Sequence, residues 1–469
     1  MGSIMKKILL GVLLASTAMS AAQAADLAAR HYTKAPVMAT VYDWTGFYVG
    51  VNAGVGLGRD RTNLNIPATP LNDTIYQQPL GALGGAQIGY NWQVNSFLGP
   101  MVLGFETDIQ GADLHDSYTC LFSCTALSSA RFDQKLDWFG TARGRIGLVT
   151  GPVLSYVTAG FAYGGVNSSL TETVGGVPAS IAFDRTRTGW TWGSGVEAAI
   201  GGNWTAKLEY LYVDLGNMRD SFALQGAAQT LDTRVRENIF RVGLNYRIGG
   251  NGVYAPTPVA NWSGFYLGGN VGSGTARDRS SLLAAGNPQF NLSPDGYLGG
   301  VQGGYNWQAA NWVFGVETDI QASSQRDNRT CIRNCIIPAP YISFDAKLPW
   351  FGTVRGRLGY SIGSTLLYAT GGLAYGEVKT STVSSADPAQ SFSNTRTGWT
   401  AGAGIETPFT LLGLFGPNWT SKTEYLYVDL GSNSNTFTGT GTVLTTHVQE
   451  HIFRTGLNYH FNTPVVAKY

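Results

Sequence analysis

The chain has 469 residues with a formal net charge of +1, only 13% charged residues, 12% aromatic residues and 62 glycines. The near-neutral charge gives no reason to expect a nucleic-acid partner, and this composition matches neither a disordered chain nor an ordinary soluble protein. It is typical of strands that face a membrane. No segment has the roughly 18 uninterrupted apolar residues of a membrane-spanning helix.

The N-terminus carries the pattern of a secretory signal. Lys6 and Lys7 precede an apolar run over residues 8–15, and Ala22-Gln23-Ala24 is an A-x-A cleavage pattern. The apolar run is too short to span a membrane. We predict a cleaved signal peptide over residues 1–24 and a periplasmic N-terminal segment over residues 25–42.

Alternation of apolar and polar residues predicts β-strands in the first part of the chain. Leu103, Phe105 and Ile109 share one face of a segment whose other face carries Glu106 and Asp108. A period of two is the period of a strand. It recurs and predicts eight strands near residues 47–55, 83–92, 103–110, 138–148, 154–163, 190–199, 205–212 and 239–246.

Long and short connections alternate along these strands. Polar stretches of about 20 residues follow the first, third, fifth and seventh strands, whereas short turns occur at residues 93–100, 150–152 and 201–203, a pattern typical of outer-membrane barrels. Aromatic residues near the strand ends predict two girdles, with Trp92, Trp204 and Tyr246 on the periplasmic side and Trp138, Tyr163, Trp190 and Tyr212 on the outer side. A soluble sandwich would not place charged residues opposite aromatics in strand after strand.

The second half of the chain restates the first. Residues 44–246 return as residues 262–459 with the motifs in the same order: GFETDIQ becomes GVETDIQ, WFGTARGRIG becomes WFGTVRGRLG, and EYLYVDLG occurs twice. This period is too long for a solenoid repeat and indicates a duplicated domain. We predict barrels over residues 43–248 and 261–461, a periplasmic linker over residues 249–260 and a tail over residues 462–469.

The fold class is therefore predicted as an all-β, transmembrane antiparallel β-barrel, with two tandem eight-stranded barrels. One fused sixteen-stranded porin is the alternative, because sixteen strands leave a water channel. The linker contains Pro256 and Pro258 and is longer than a merged barrel requires. Pairing of residues 47–55 with residues 239–246 indicates two barrels, and pairing with residues 452–459 indicates one.

Charged residues on the inward parity recur in both copies with their types preserved. An eight-stranded barrel is just wide enough for side chains to fill it, so these charges are expected to neutralise each other. Lining of a pore and a catalytic carboxylate pair remain the alternatives. The predicted network comprises Glu106, Asp108, Arg143, Arg145, Glu197, Lys207, Glu209 and Arg241, then Glu317, Asp319, Arg355, Arg357, Glu406, Lys422, Glu424 and Arg454.

Each copy has one C-x-x-x-C pair in the second long connection: Cys120 with Cys124, and Cys331 with Cys335. In an exported protein this spacing indicates one local disulfide per copy outside the cell, and a metal site would need further ligands. We expect no metal and no cofactor. We also expect no enzyme, because no histidine is expected on a strand face beside a serine or aspartate and no active-site motif occurs in both copies.

The last strands end alike, as Arg241-x-Gly243-x-x-Tyr246-x-Ile248 and as the same pattern from Arg454 to Phe461. This pattern resembles the signal read by the barrel-assembly machinery, which is thus an expected partner during biogenesis. An ordinary amphipathic strand is the alternative.

The motifs WTGFYVGVNAG, GYNWQ, FGTARGRIG, TGWTWGSGVE and KLEYLYVDLG resemble the alphaproteobacterial outer-membrane immunogenic protein family. Its members are small eight-stranded, porin-like barrels of the OmpA-like and opacity-type superfamily, and they usually hold one barrel. The resemblance implies a surface antigen in contact with outer-membrane lipid and lipopolysaccharide, with a role in envelope integrity and host contact through variable outer loops. Haem binding, ascribed to some relatives, has no support here, because His115, His447, His451 and His460 have no histidine counterpart in the other copy.

Overall fold

The computed structural model describes residues 42–67, 72–119, 128–249, 260–283, 289–330, 342–384, 389–409, 415–438 and 443–461. Every regular element in these ranges is a β-strand. Within the same ranges, no helix is long and apolar enough to cross a membrane. The four cysteines, the signal peptide and most of the 25–42 segment, the linker and the tail lie outside the described residues and remain predictions.

The first sheet contains ten strands and the second contains nine. The first comprises β1 Gly46–Gly58, β2 Asp60–Asn65, β3 Asn72–Gln77, β4 Leu80–Ser96, β5 Gly99–Thr119, β6 Ser128–Thr150, β7 Val153–Val174, β8 Val177–Gly201, β9 Trp204–Leu224 and β10 Ala227–Ile248. The second comprises β11 Gly264–Leu283, β12 Gln289–Leu292, β13 Asp295–Ala309, β14 Trp312–Thr330, β15 Ile342–Ile362, β16 Thr365–Ser384, β17 Gln390–Pro408, β18 Trp419–Thr436 and β19 Val443–His460.

Each sheet closes on itself as an antiparallel meander. In the first, β1 pairs with both β4 and β10, and Val49 lies opposite Tyr246. In the second, β11 pairs with both β13 and β19, and Leu267 lies opposite Tyr459. The predicted pair of tandem barrels is confirmed, and the single sixteen-stranded barrel is wrong because each copy closes within itself.

The extra strands are continuations of barrel strands. β1 and β2 run along the same partner, β10, and are separated only at Arg59. β3 continues into β4 after Gln78 and Pro79, and β12 continues into β13 after Ser293 and Pro294. Proline cannot donate a ladder hydrogen bond, so it interrupts the strand there. Counted this way, the wall of each barrel consists of eight strands.

The outer connections differ from the predicted long loops, because the strands extend well past the apolar zone. β7 continues to Val174, turns at Gly175 and Gly176, which have φ values of 60° and 82°, and returns as β8 with Leu170 opposite Ile181. β9 and β10 form a similar hairpin, with Leu224 opposite Ala227. Beyond the bilayer the outward face no longer needs to be apolar, so it loses its hydrophobic pattern while backbone pairing continues. The buried face still carries an apolar cluster that includes Phe132, Leu170 and Leu231.

The two faces of each wall differ in chemistry as the alternation predicts. Large apolar side chains point outward and are about half exposed in the isolated chain, including Phe47, Ile109 and Phe161. This face meets lipid, so the exposure is expected. The inward face holds the buried polar and apolar residues.

Candidate functional site

The eight predicted interior charges of the first barrel all lie inside it and are at most 5% exposed. Arg143 of β6 is at the centre. Its guanidinium lies 2.5 Å from the Glu106 carboxylate, 2.8 Å from that of Asp108 and 3.1 Å from that of Glu209. One arginine thus joins β5, β6 and β9 across the lumen. Its planar fork suits this role because it can bind several carboxylates at once.

The other three bases complete the neutralisation. Arg241 lies 2.8 Å from Asp108 and 2.6 Å from Glu209. Lys207 donates to Glu106 at 2.9 Å, and Arg145 donates to Glu197 at 2.9 Å. Every acid of the set has a base within ion-pair distance. The network therefore carries no net charge and leaves none of its carboxylates without a counter-ion.

Two tyrosines that the sequence reasoning missed belong to this network. The hydroxyls of Tyr48 and Tyr156 donate to Glu106 and Glu209, each at 2.8 Å. Both rings also face the Arg145 guanidinium, at 4.7 and 5.3 Å from their centroids. Their inward parity could have identified them, because Tyr48 lies opposite the buried Arg247, and Tyr156 lies opposite Gly147, which is on the same face as Arg145.

The second barrel repeats the same contacts. Arg355 contacts Glu317, Asp319 and Glu424, the latter two at 3.0 and 3.1 Å. The remaining pairs also match the first copy: Arg454 with Asp319 and Glu424, both at 2.7 Å, Lys422 with Glu317 at 2.9 Å, Arg357 with Glu406 at 2.6 Å, Tyr266 with Glu317 at 2.7 Å and Tyr368 with Glu424 at 3.0 Å.

An aromatic side chain fills the lumen of each barrel at its short-turn end. Trp44 is 2% exposed and packs with Val102, Leu154 and Tyr156. Its counterpart Trp262 is fully buried, and its indole N–H donates to the Ser361 hydroxyl at 3.0 Å. This end faces the periplasm in outer-membrane barrels, where the turns are short. Each lumen is thus filled at that end by the residue that begins its repeat.

Apolar side chains fill the lumen on the outer side of the charges. Phe139, Leu211 and Ile239 are 0% exposed and belong to one cluster in the first barrel. Phe351, Leu426 and Ile452 belong to the matching cluster in the second. Each lumen therefore contains an aromatic floor, a charged middle layer and an apolar outer layer.

A second pair of acids lies inside each barrel and was also missed. Asp60 accepts from the Arg236 backbone N–H at 2.7 Å, while the buried carboxylate oxygens of Glu237 have no hydrogen-bond partner among the described residues. Asp278 and Glu450 are the counterparts in the second copy and are equally buried. These residues lie beyond the predicted strand ends, so the inward parity was not extended to them.

The structure overturns one expectation about histidine. His447 has its Nδ1 3.0 Å from the Ser432 hydroxyl and its Nε2 3.1 Å from the Asp429 carboxylate. A register shift between Asp429 and Ser432 brings both residues beside His447. Counting alternate positions cannot detect this, because a bulge adds a residue to one strand only.

The first copy gives this histidine contact a structural interpretation. There Arg234 replaces His447 and lies 2.6 Å from Asp214, the counterpart of Asp429. Both aspartates also accept from the glycine N–H two residues later, at 2.9 and 2.8 Å. Both copies therefore have a bulge at which an aspartate contacts a basic side chain of the neighbouring strand. No group of three or more potential metal ligands occurs in the described part of the chain.

Comparison with known proteins gives matches to each copy. Residues 11–247 and 251–461 match the family model of the outer membrane protein beta-barrel domain. The 31 kDa outer-membrane immunogenic protein of Brucella melitensis is 36% identical over 254 residues, which are 52% of this chain and 100% of that protein. The 22 kDa outer membrane protein of Rhizobium leguminosarum bv. viciae is 36% identical over 179 residues, 37% of this chain and 67% of that protein.

Among solved structures, Neisserial surface protein A matches 44% of this chain and 98% of its own, with 14% identity and a TM-score of 0.22. A similarity at this level identifies no function.

Proposed function

Because the chain belongs to the outer membrane protein β-barrel domain family, we propose that it is a non-enzymatic structural protein that stabilises the envelope and displays its outer hairpins at the cell surface. Its location in the outer membrane follows from the family and from relatives that are named outer-membrane proteins. What remains to be proposed is its role there.

The filled lumen is the observation that supports a structural role. Charged groups that conduct ions or do chemistry must be accessible, whereas Arg143, Glu106 and Glu209 are 1–2% exposed and bind one another. Trp44 and the Phe139 cluster fill the lumen on either side of them. A packed interior of this kind stabilises a wall and offers no path for solutes.

Planar-bilayer recording of the full chain tests the structural role against diffusion through either barrel. We expect no steady channel. A Trp44→Ala, Trp262→Ala double variant serves as the comparison, because it removes both floors and leaves the charged networks in place. A steady conductance of porin size from the unaltered chain would show that the lumens open and would contradict the proposal.

A deletion strain tests the envelope role directly. We expect its outer membrane to become more permeable to detergent, and we expect both the unaltered chain and a chain with shortened β7–β8 and β16–β17 hairpins to restore the barrier. Attachment to host cells, measured on the same strains, should depend on the hairpins. Unchanged detergent sensitivity in the deletion strain would refute a role in envelope integrity.

Two partners are proposed on chemical grounds. The outward apolar belt is in contact with lipid, and we propose lipopolysaccharide as its outer-leaflet component. Tyr246 and Ile248 project outward at the end of β10, next to Arg241 and Gly243 of the terminal pattern. This arrangement supports recognition of that strand by the barrel-assembly machinery. Slower insertion of a Tyr246→Ala, Tyr459→Ala variant into the membrane would support this partner, and unchanged insertion would contradict it.

A serine hydrolase is the alternative that one contact favours, namely Ser432 with His447 and Asp429. A fluorophosphonate probe distinguishes the two roles, since it labels activated serines. We expect no labelling of the folded chain, because the first copy has Asn217 and Arg234 in place of the serine and histidine. Labelling that disappears in Ser432→Ala would establish an enzyme.

A further inference from the structure

The outer faces of the two barrels touch through residue pairs that recur with the roles exchanged. Arg59 and Arg277 occupy the same position of the repeat, as the first residues of R-D-R, and so do Asp116 and Asp327, each six residues after the DIQ motif. Arg59 Nη2 lies 3.5 Å from Asp327 Oδ1, and Arg277 Nη2 lies 3.5 Å from Asp116 Oδ1. Each barrel supplies the arginine to one pair and the aspartate to the other.

Aromatic residues on the outward faces of the two barrels also form a pair of contacts in which the roles of the two copies are exchanged. Tyr210 and Tyr425 share the EYLY motif, while Phe240 and Phe453 share the IFR motif. The Tyr210 ring lies 5.8 Å from that of Phe453, and the Tyr425 ring lies 5.0 Å from that of Phe240. Val196, Ala198 and Leu208 of the first barrel belong to the same cluster, as does Ile405 of the second. These positions point away from both lumens.

One pair of equivalent residues contacts each other. Gln78 and Ser293 each precede the proline that interrupts the second strand of its barrel. Gln78 Nε2 donates to the Ser293 hydroxyl at 2.6 Å. The backbone N–H of Gln78 donates to the Asp116 carboxylate and that of Ser293 donates to the Asp327 carboxylate, both at 2.8 Å. A residue that meets its own counterpart lies on a two-fold axis, so this contact gives the position of the axis.

The spaces beside the contact obey the same symmetry. One apolar cleft, of about 590 Å³, lies between β1, β9 and β10 of the first barrel and β14–β17 of the second. The other, of about 790 Å³, lies between β5–β9 of the first barrel and β11, β13, β18 and β19 of the second. Exchanging the copies exchanges the clefts, because β14–β17 are the counterparts of β5–β8.

We propose that the two barrels form a pseudo-two-fold pair joined by an isologous interface, so that each barrel recognises the other as it would a second copy of itself. In an isologous interface residue i contacts j, and j contacts i. Apolar contact alone would not select this face, because lipid tails are as apolar as the barrel wall. The arginine–aspartate pairs provide the selection, since each pair joins a base of one barrel to an acid of the other, and Arg277, Asp116 and Asp327 are at most 8% exposed. The linker makes the encounter intramolecular and raises the effective concentration.

Site-specific photo-crosslinking in the full chain tests the symmetry. The probe is p-benzoylphenylalanine in place of Tyr210, and separately in place of Tyr425, with a protease site inserted in the 249–260 linker. After linker cleavage, each probe should join the two fragments into a species with the mass of the uncleaved mature chain. The matched control is the probe in place of Tyr163, an outward tyrosine beside Trp138 and Phe161 of its own barrel, which should leave the fragments separate.

Three results would overturn the proposal: no joined fragments from either interface probe, equal joining from the Tyr163 probe, or crosslinks that double the mass before cleavage. Charge exchange gives a second test in folded protein, checked by its heat-dependent mobility shift. Arg277→Asp should cause loss of fragment co-purification after cleavage, and adding Asp116→Arg should restore it. Arg131→Asp, which alters an exposed pair within the first barrel, should have no effect. Failure of Asp116→Arg to rescue would count against reciprocal recognition.

Discussion

Replacing Arg143 by alanine tests whether the lumen charges stabilise the barrel. The side chain is 1% exposed and contacts three carboxylates. Removing one partner from a buried ion pair costs about 3–5 kcal/mol, because it leaves the other charge unpaired. Here Lys207 still reaches Glu106, and Arg241 still reaches Asp108 and Glu209. The expected loss is therefore at the lower end, about 3 kcal/mol.

The assay is urea or thermal unfolding of the chain in lipid vesicles, followed by tryptophan fluorescence and the gel mobility shift. About 3 kcal/mol corresponds to a fall of roughly 6–12 °C in the melting temperature of a unit of about 200 residues. Arg355→Ala is the matched variant in the second barrel. Comparing the two identifies which transition belongs to which barrel, since two units need not unfold together.

The control is Arg131→Ala, which removes an exposed pair with Asp133 and should cost no more than about 0.5 kcal/mol. The reasoning is refuted if Arg143→Ala destabilises no more than this control. It is also refuted if Arg143→Ala leaves stability unchanged but opens a conductance, because Arg143 would then gate a pore.

Three further predictions follow from the same packing. Gly160→Ala should destabilise the barrel by about 1–3 kcal/mol, because a Cβ there would lie 2.1 Å from the Ala142 carbonyl oxygen. Gly144→Ala is the control and should be almost neutral in the same unfolding assay, because a Cβ at that position would have no atom within 4 Å. Equal effects of the two variants would contradict the close approach of the strands at Gly160. Trp262→Ala should cost about 3–5 kcal/mol by leaving a cavity in the floor, measured as a lower unfolding midpoint, and a midpoint like that of the unaltered chain would mean that the floor is not packed. His447→Arg, which copies the first barrel, should preserve the unfolding midpoint and the detergent resistance of the cell; loss of either would assign His447 a role beyond the bulge.

Much of the wall could be predicted from local pattern. Period-two alternation placed Glu106 and Arg143 on the inward face and Phe105 and Ile109 on the outward face, where the structure has them. The same alternation could also have placed Tyr48 on the inward face. Ser432 beside His447 was not, because one bulge changes the parity and leaves no distinct mark in the residues around it.

The sequence by itself determined the strand faces, the duplication and the type of each lumen charge, because alternation and repetition are local properties of the chain. Only the tertiary structure decided that β1 closes on β10, that the outer connections continue as paired hairpins, and that the two barrels meet through exchanged pairs such as Arg277 with Asp116. These features depend on which distant backbone groups meet. Pairing with either last strand would satisfy the same alternation, so alternation alone could not determine which strand closes the barrel.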